Sequence, residues 1–161
     1  MRDDAFERLY TEHAQALYAF LSYRSGDRVL AEDLLADTFE RALRARRRFD
    51  PRKASEKTWL YAIALNCLRD HARRRSAEGR ALERMATTPS AGSTVEVDEI
   101  ADRDLINRSL TVLSEEEREA IALRFGSGLT VPEIAKLTGE PLTTVEGRVY
   151  RALRKLRKAI D

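Results

Sequence analysis

Apolar residues recur at spacings of three and four along the first part of the chain, which is the period of an amphipathic helix. One run, at 6–21, predicts a first helix that Ser25, Gly26 and Asp27 end, and a second helix begins at Ala31. The other side of the second helix carries three carboxylates in one stripe: Asp33, Asp37 and Glu40. Two interpretations stay open, a solvated stripe paired with neighbouring arginines or a dock for a basic protein surface.

A third helix follows a break at Phe49, Asp50 and Pro51. It begins after a predicted N-cap at Ser55 and reaches Arg75, and core packing is the expected role of Trp59. Asn66 interrupts the apolar run, so its amide needs a partner or a function. The helix ends in arginines, and aromatic residues among arginines are typical of surfaces that bind single-stranded nucleic acid.

The segment 76–98 differs in composition from both of its flanks. Its second half, 86–94, has no large apolar residue and contains Pro and Gly, which predicts a flexible linker. Its first part, 77–85, has a composition that lets the preceding helix continue. The sequence therefore predicts an all-α fold with two small helical domains, 1–75 and 99–161, joined by a linker at 76–98.

The C-terminal domain contains a predicted helix over 100–113 and two capping boxes that open further helices, one from Ser114 to Glu117 and one from Thr130 to Glu133. A tight turn at Gly139 precedes a last helix that is apolar on one side and basic on the others. A short helix, a turn and a longer basic helix form a helix-turn-helix, whose second helix enters the major groove of DNA. Helical hairpins are common, so the pattern alone also fits a purely structural pairing.

Charge is nearly balanced over the 161 residues, with 29 Lys and Arg against 27 Asp and Glu, but it is segregated along the chain. Residues 1–75 carry 16 basic against 12 acidic side chains, net +4, and residues 141–161 carry 6 against 2, net +4. Residues 99–140 carry 5 against 9, net −4. Segregation favours a polyanion that touches selected faces, although solvated helix faces also produce charge runs.

Several classes of protein are disfavoured by composition. One cysteine and two histidines exclude a disulfide framework and argue against a zinc site. No apolar run approaches the roughly 18 residues of a membrane-spanning helix, and the acidic N-terminus does not resemble a signal peptide. We therefore expect a cytoplasmic protein without membrane insertion.

The two domains together resemble sigma factors. Residues 31–43, 59–66 and 70–75 are similar to region 2 of that family, and residues 121–156 are similar to region 4. The intervening segment is too short for a region 3 domain, and we expect no domain before region 2. The chain is therefore identified as a member of the extracytoplasmic-function (ECF) group of the sigma-70 type.

The resemblance implies a protein that binds core RNA polymerase, directs it to promoter DNA and helps to melt the −10 element. It implies an anti-sigma factor that holds the protein inactive, and no catalytic residue, cofactor, metal or small-molecule substrate. The residues implied to bind polymerase are Asp33, Ala36, Asp37 and Glu40. Those implied to bind the −10 element are Phe49, Asn66, Asp70, Arg73 and Arg74. Those implied to bind the −35 element are Thr144, Glu146, Gly147, Arg148, Arg151 and Lys155.

The sequence departs from the family pattern at three of these positions. Ala36 replaces a common Gln in the second helix, which removes one expected polymerase contact. Glu146 stands where Lys or Arg is frequent, and Gly147 stands where Ser is frequent. A carboxylate repels phosphate, but it can accept a hydrogen bond from the amino group of cytosine. The departures therefore concern which −35 sequence is read.

Two other functions fit the sequence less well. One is a sigma-like DNA-binding regulator that no longer programs polymerase, and the N-terminal domain argues against it because such a regulator needs no polymerase-binding stripe. The other is an enzyme, which no Gly-rich phosphate loop, metal cluster or nucleophile–base pair supports.

Overall fold

The computed structural model describes residues 1–82 and 111–160, which belong to two compact units, Met1–Ser93 and Thr94–Asp161. Every regular element in these two described ranges is helical, which confirms the predicted all-α class. The predicted helix over 100–113 lies outside the described residues except for its last three positions, which form a turn. The predicted linker also lies outside them from residue 83 onward.

The first unit contains α1 (Asp3–Ser25), α2 (Arg28–Ala45) and α3 (Glu56–Leu82). Gly26 ends α1 in the left-handed region, at φ 71°, where a residue without Cβ pays no steric cost. Asp27 then caps α2, because its Oδ1 accepts hydrogen bonds from the amides of Val29 and Leu30 at 2.9 and 3.3 Å. This cap starts α2 three residues before the position that the apolar pattern predicts.

The core of the first unit lies among the three helices. α1 contributes Leu9, Leu17 and Leu21, and α2 and α3 contribute Ala31, Leu34, Leu60, Tyr61 and Leu65, all of them buried. The Phe20 and Tyr61 rings join α1 to α3 edge-to-face, with centroids 5.6 Å apart. Trp59 is only half buried and packs on Phe49 at a centroid distance of 5.2 Å. Trp59 therefore does not lie in the core as expected, and its ring packs instead on Phe49 in the loop before α3.

Local signals fix both ends of that loop. A 3-10 turn, Arg46–Arg48, ends α2. The predicted N-cap is confirmed, since Ser55 Oγ accepts a hydrogen bond from the Thr58 amide at 3.1 Å. α3 then continues past Arg75 to Leu82, so the first seven residues of the segment 76–98 are helical.

The second unit contains α4 (Glu115–Ile121), α5 (Val131–Thr138) and α6 (Leu142–Ile160). Both predicted capping boxes are formed, at Ser114 with Glu117 and at Thr130 with Glu133. Gly139 turns the chain between α5 and α6 at φ 71°. Val145, Val149 and Ala152 are the buried face of α6.

Five apolar residues that helical spacing would assign to buried faces are exposed instead: Tyr10, Leu43, Phe125, Leu153 and Ile160. α4 passes into a π-helical turn, Ala122–Gly126, in which Phe125 follows the buried Leu123 by two residues and so lies on the opposite side of the turn. Leu153 follows the buried Ala152 by one residue, so it lies at the edge of the α6 core face. None of the described helices is long and apolar enough to cross a membrane.

Candidate protein and nucleic-acid interfaces

The acidic stripe of α2 lies on the outside of the first unit, and part of it is paired. Arg41 contacts Asp37 with Nη2 3.1 Å from Oδ2, and Arg44 Nη2 donates to Glu40 Oε1 at 2.6 Å. Asp33 is exposed and has no ion-pair partner among the described residues. The pairing with arginines expected for a solvated stripe is therefore present, and it leaves the carboxylates accessible on the surface.

Arg41 connects this stripe to α3. Its Nη1 donates to Asp70 Oδ2 at 2.8 Å, while the same guanidinium holds Asp37. Asp70 also accepts a hydrogen bond from Arg73, one turn further along α3. The bond from Arg41, followed by the charges of Arg41 and Arg73, lowers the pKa of the Asp70 carboxyl below its ordinary value. Asp70 therefore joins two helices in addition to lying in the predicted −10 site.

The residues predicted to bind the −10 element share one side of α3. Asn66, Asp70 and Arg73 follow at i, i+4 and i+7, and Asn66, Arg73 and Arg74 are exposed. Since Asn66 faces solvent, its amide needs no partner inside the protein. Phe49 lies before this helix against Trp59.

Arg148 is not on the exposed side of α6, where the sequence placed it. Its side chain is only 17 % exposed, and it makes two hydrogen bonds with Glu140, Nη1 to Oε1 at 2.8 Å and Nη2 to Oε2 at 2.7 Å. The position follows from spacing, because Arg148 precedes the buried Val149 and Ala152 by one and four residues. The bonds that Arg148 donates to Glu140 raise the pKa of the Arg148 guanidinium above its ordinary value.

Lys155 is also paired with a carboxylate, so its ammonium group is not free to contact phosphate as expected. Its Nζ donates to Glu117 Oε1 at 2.8 Å, and the Glu117 side chain is 7 % exposed. The Lys155 bond, followed by the Ser114 amide, lowers the pKa of the Glu117 carboxyl. Lys155 therefore ties α6 to the N-terminus of α4.

The outward side of α6 contains the remaining predicted −35 residues. Thr144, Glu146 and Arg151 are exposed. A Cβ placed on Gly147 would lie 3.1 Å from Arg151 Nη1, so the glycine lets this guanidinium lie along the helix. No carboxylate pairs with Arg151 among the residues that the structure describes.

Sequence reasoning missed two residues of these surfaces. Tyr150 is 63 % exposed on the outward side of α6, and its spacing of three from Gly147 could have indicated this. Arg41 was noted only as a neighbour of the stripe, and nothing local in the sequence indicates its contact with Asp70, 29 residues away.

Two family models match the chain, sigma-70 region 2 over residues 9–78 and sigma-70 region 4 over residues 103–156. Among curated proteins, the chain is 31% identical over 162 residues to the ECF RNA polymerase sigma factor BldN of Streptomyces coelicolor, covering 98% of this chain and 61% of BldN. It is 33% identical over 158 residues to the RNA polymerase sigma factor CarQ of Myxococcus xanthus, covering 98% of this chain and 90% of CarQ.

Two solved structures are similar to the chain. One is the sigma factor RpoE in complex with the anti-sigma factor NepR from Bartonella quintana, with a TM-score of 0.81 and 26% identity over 97% of this chain and 96% of that chain. The other is CnrH in complex with the cytosolic domain of CnrY, with a TM-score of 0.71 and 29% identity over 99% and 90%. The two family models and these relatives together show that the chain belongs to the ECF group of RNA polymerase sigma factors, which bind core RNA polymerase and promoter DNA.

Proposed function

We propose that this sigma factor divides its work between its two domains. Residues 1–75 bind core polymerase and the −10 element, residues 99–161 bind the −35 element, and residues 76–98 link them. The observation that carries the proposal is the separation of surfaces: the acidic stripe is on α2, the Asn66–Arg73 side is on α3, and an outward basic side is on α6. Each surface has the chemistry that its partner requires.

The outward side of α2 is the proposed contact with polymerase. Asp33, Asp37 and Glu40 offer carboxylates to a basic partner surface, and the exposed Ala36 lies among them without steric obstruction. A basic partner would replace Arg44 at Glu40, because a surface pair of this kind is worth only about 0–1 kcal/mol. The internal pairing therefore does not oppose docking strongly.

The Asn66–Arg73 side of α3 is the proposed −10 surface. An exposed amide can hydrogen-bond to the edge of an unstacked base, and exposed arginines at 73 and 74 can hold phosphates. Phe49 and Trp59 add aromatic surface at the entrance to this helix. Together they provide hydrogen bonds, charge and stacking, which are the means of binding a melted strand.

The outward side of α6 is the proposed −35 surface. Thr144, Glu146 and Arg151 occupy its first half, where a recognition helix meets base edges. Gly147 adds no side chain between them, which allows close approach of the helix to DNA. Arg154 and Lys158 lie further along, where phosphates are expected.

The same role implies that the chain performs no chemistry itself and works in the cytoplasm with polymerase and DNA. We also propose that an anti-sigma factor holds it inactive. RpoE was solved with the anti-sigma factor NepR, and CnrH was solved with the cytosolic domain of CnrY, which supports a similar partner here.

Run-off transcription with core polymerase and a library of promoter fragments tests the proposal. Adding the protein should produce transcripts from a defined subset of promoters, while core polymerase alone should not. Asn66→Ala should change the −10 preference, and Arg151→Ala should change the −35 preference. Binding to library DNA without promoter-specific transcripts would instead favour a regulator that does not program polymerase.

A further inference from the structure

Resting on the proposed −35 role of α6, we infer that Glu140 is a specificity-determining residue: it withholds Arg148 from DNA and leaves −35 contacts to the outward side of α6. Glu140 lies in the turn between the two helices of the helix-turn-helix, outside the recognition helix itself. The turn thus decides which recognition-helix side chains are available to DNA.

The geometry of the pair makes Arg148 unavailable. An arginine that reads guanine uses two N–H groups in parallel against O6 and N7. In Arg148 the Nη1 and Nη2 groups already make parallel bonds with Glu140, at 2.8 and 2.7 Å. The pair is also neutral as a unit, so it does not attract phosphate as a free guanidinium does.

The surroundings of Arg148 reinforce this placement. Besides Glu140, the carboxylates of Glu116 and Glu119 on α4 favour its charged form. Its side chain is 17 % exposed, so the competition from water that weakens surface ion pairs is reduced. Arg151, three residues later, is exposed and has no carboxylate partner in the described part of the chain. Arg148 is therefore held by the protein, whereas Arg151, one turn further along α6, is available to DNA.

Glu140→Gln in the full chain, assembled with core polymerase and assayed on a library of duplex promoters with randomised −35 elements, tests the inference. Loss of the carboxylate should free Arg148, raise promoter binding several-fold and add a base preference or a phosphate contact. One added phosphate contact steepens the salt dependence of the affinity by a slope of about 0.9. Glu115→Gln is the matched control, since it changes the same charge at an exposed position in the first turn of α4.

Arg148→Met completes the experiment. In the parent it should leave the −35 profile and the salt slope unchanged, and in the Glu140→Gln background it should abolish the gain. Melting curves establish that each variant is folded, and Glu140→Asp, whose shorter side chain withdraws from the guanidinium, replaces Glu140→Gln if that variant unfolds.

A changed −35 profile for Arg148→Met in the parent, or no Arg148-dependent gain in the Glu140 variants, overturns the inference. Arg151→Ala distinguishes a failure of this inference from a failure of the proposed −35 role of α6. If Arg151→Ala alters the −35 profile while the Arg148 variants contradict the inference, only the proposed role of Glu140 is refuted. If Arg151→Ala also leaves the −35 profile unchanged, the assignment of the outward side of α6 to the −35 element is wrong.

Discussion

Lys155 provides a test of whether a basic residue on a recognition helix serves the fold or the DNA. Its Nζ lies 2.8 Å from Oε1 of the buried Glu117, and that oxygen also accepts the Ser114 amide of the capping box. Lys155→Met keeps most of the aliphatic side chain and removes the charge. We expect this variant to destabilise the second unit, because it leaves the Glu117 carboxylate with one fewer partner.

The size of the effect follows from the burial of the two groups. Breaking a fully buried ion pair costs about 3–5 kcal/mol, whereas an exposed pair is worth about 0–1 kcal/mol. Here Glu117 is buried but Lys155 is 47% exposed, and the carboxylate keeps its bond from Ser114. We therefore expect a loss of about 1–2 kcal/mol in the free energy of unfolding of this unit.

The pH dependence adds a second signature. Because the folded-state pKa of Glu117 is lowered, the contribution of the pair is present above the ordinary carboxyl range and is lost as pH falls through the lowered pKa. The difference in stability between the parent and Lys155→Met should therefore be largest near neutral pH. It should shrink in acid, where Glu117 is protonated in both proteins.

Native-state hydrogen exchange of the α6 amides measures the second unit by itself. The fluorescence of Trp59, the one tryptophan of the chain, reports on the first unit and serves as an internal reference. Lys158→Met is the matched control, because Lys158 is exposed on the same helix and has no ion-pair partner among the described residues. Equal α6 protection in the Lys155 and Lys158 variants would refute the structural role of the Lys155–Glu117 pair.

Three further predictions concern the other surfaces. Asp37→Lys combined with Glu40→Lys should weaken polymerase binding by several kcal/mol with the fold intact, and unchanged affinity in a competition assay would contradict the docking assignment. Arg41→Met should lower the melting temperature of the first unit more than Arg44→Met, because Arg41, unlike Arg44, bonds to Asp70 on α3; equal melting of the Trp59 signal in the two variants would show that this bond does not stabilise the unit. Glu146→Ala should lose a preference at one C·G pair of the −35 element, whereas Glu146→Lys should raise DNA affinity generally; an unchanged promoter-library profile for the first would show that Glu146 reads no base.

Helix boundaries were largely predictable because local chemistry fixes them. Gly26, Ser55 and Gly139 act through their own backbone conformation or through a hydrogen bond to an amide three residues away. Such signals need no knowledge of the tertiary structure. The start of α2 was misplaced for a related reason: Asp27 was interpreted as part of a break, although its side chain is the cap of the next helix.

Most of the features that escaped prediction depend on contacts between elements. Asp70 meets Arg41 across 29 residues, and Glu117 meets Lys155 across 38, so no periodicity within one helix reveals either pair. Phe125 was misassigned because its apolar character suggested burial, although it follows the buried Leu123 by two residues and so lies on the other side of the helix. The sequence thus predicted which helices carry the candidate surfaces. It did not predict which charged side chains pair with one another.

Charge segregation in the sequence therefore overstates how much of α6 is free to meet DNA. The segment 141–161 has six basic side chains, but Arg148 and Lys155 are already paired with Glu140 and Glu117. Both lie beside the buried stripe of Val145, Val149 and Ala152, so their neighbours are the acidic side chains of the turn and of α4. The other four basic residues have no such neighbours in the described ranges: Arg151, Arg154, Arg157 and Lys158. In an amphipathic recognition helix, the angle between a basic residue and the apolar stripe is accordingly a better guide to DNA contact than the charge of the segment.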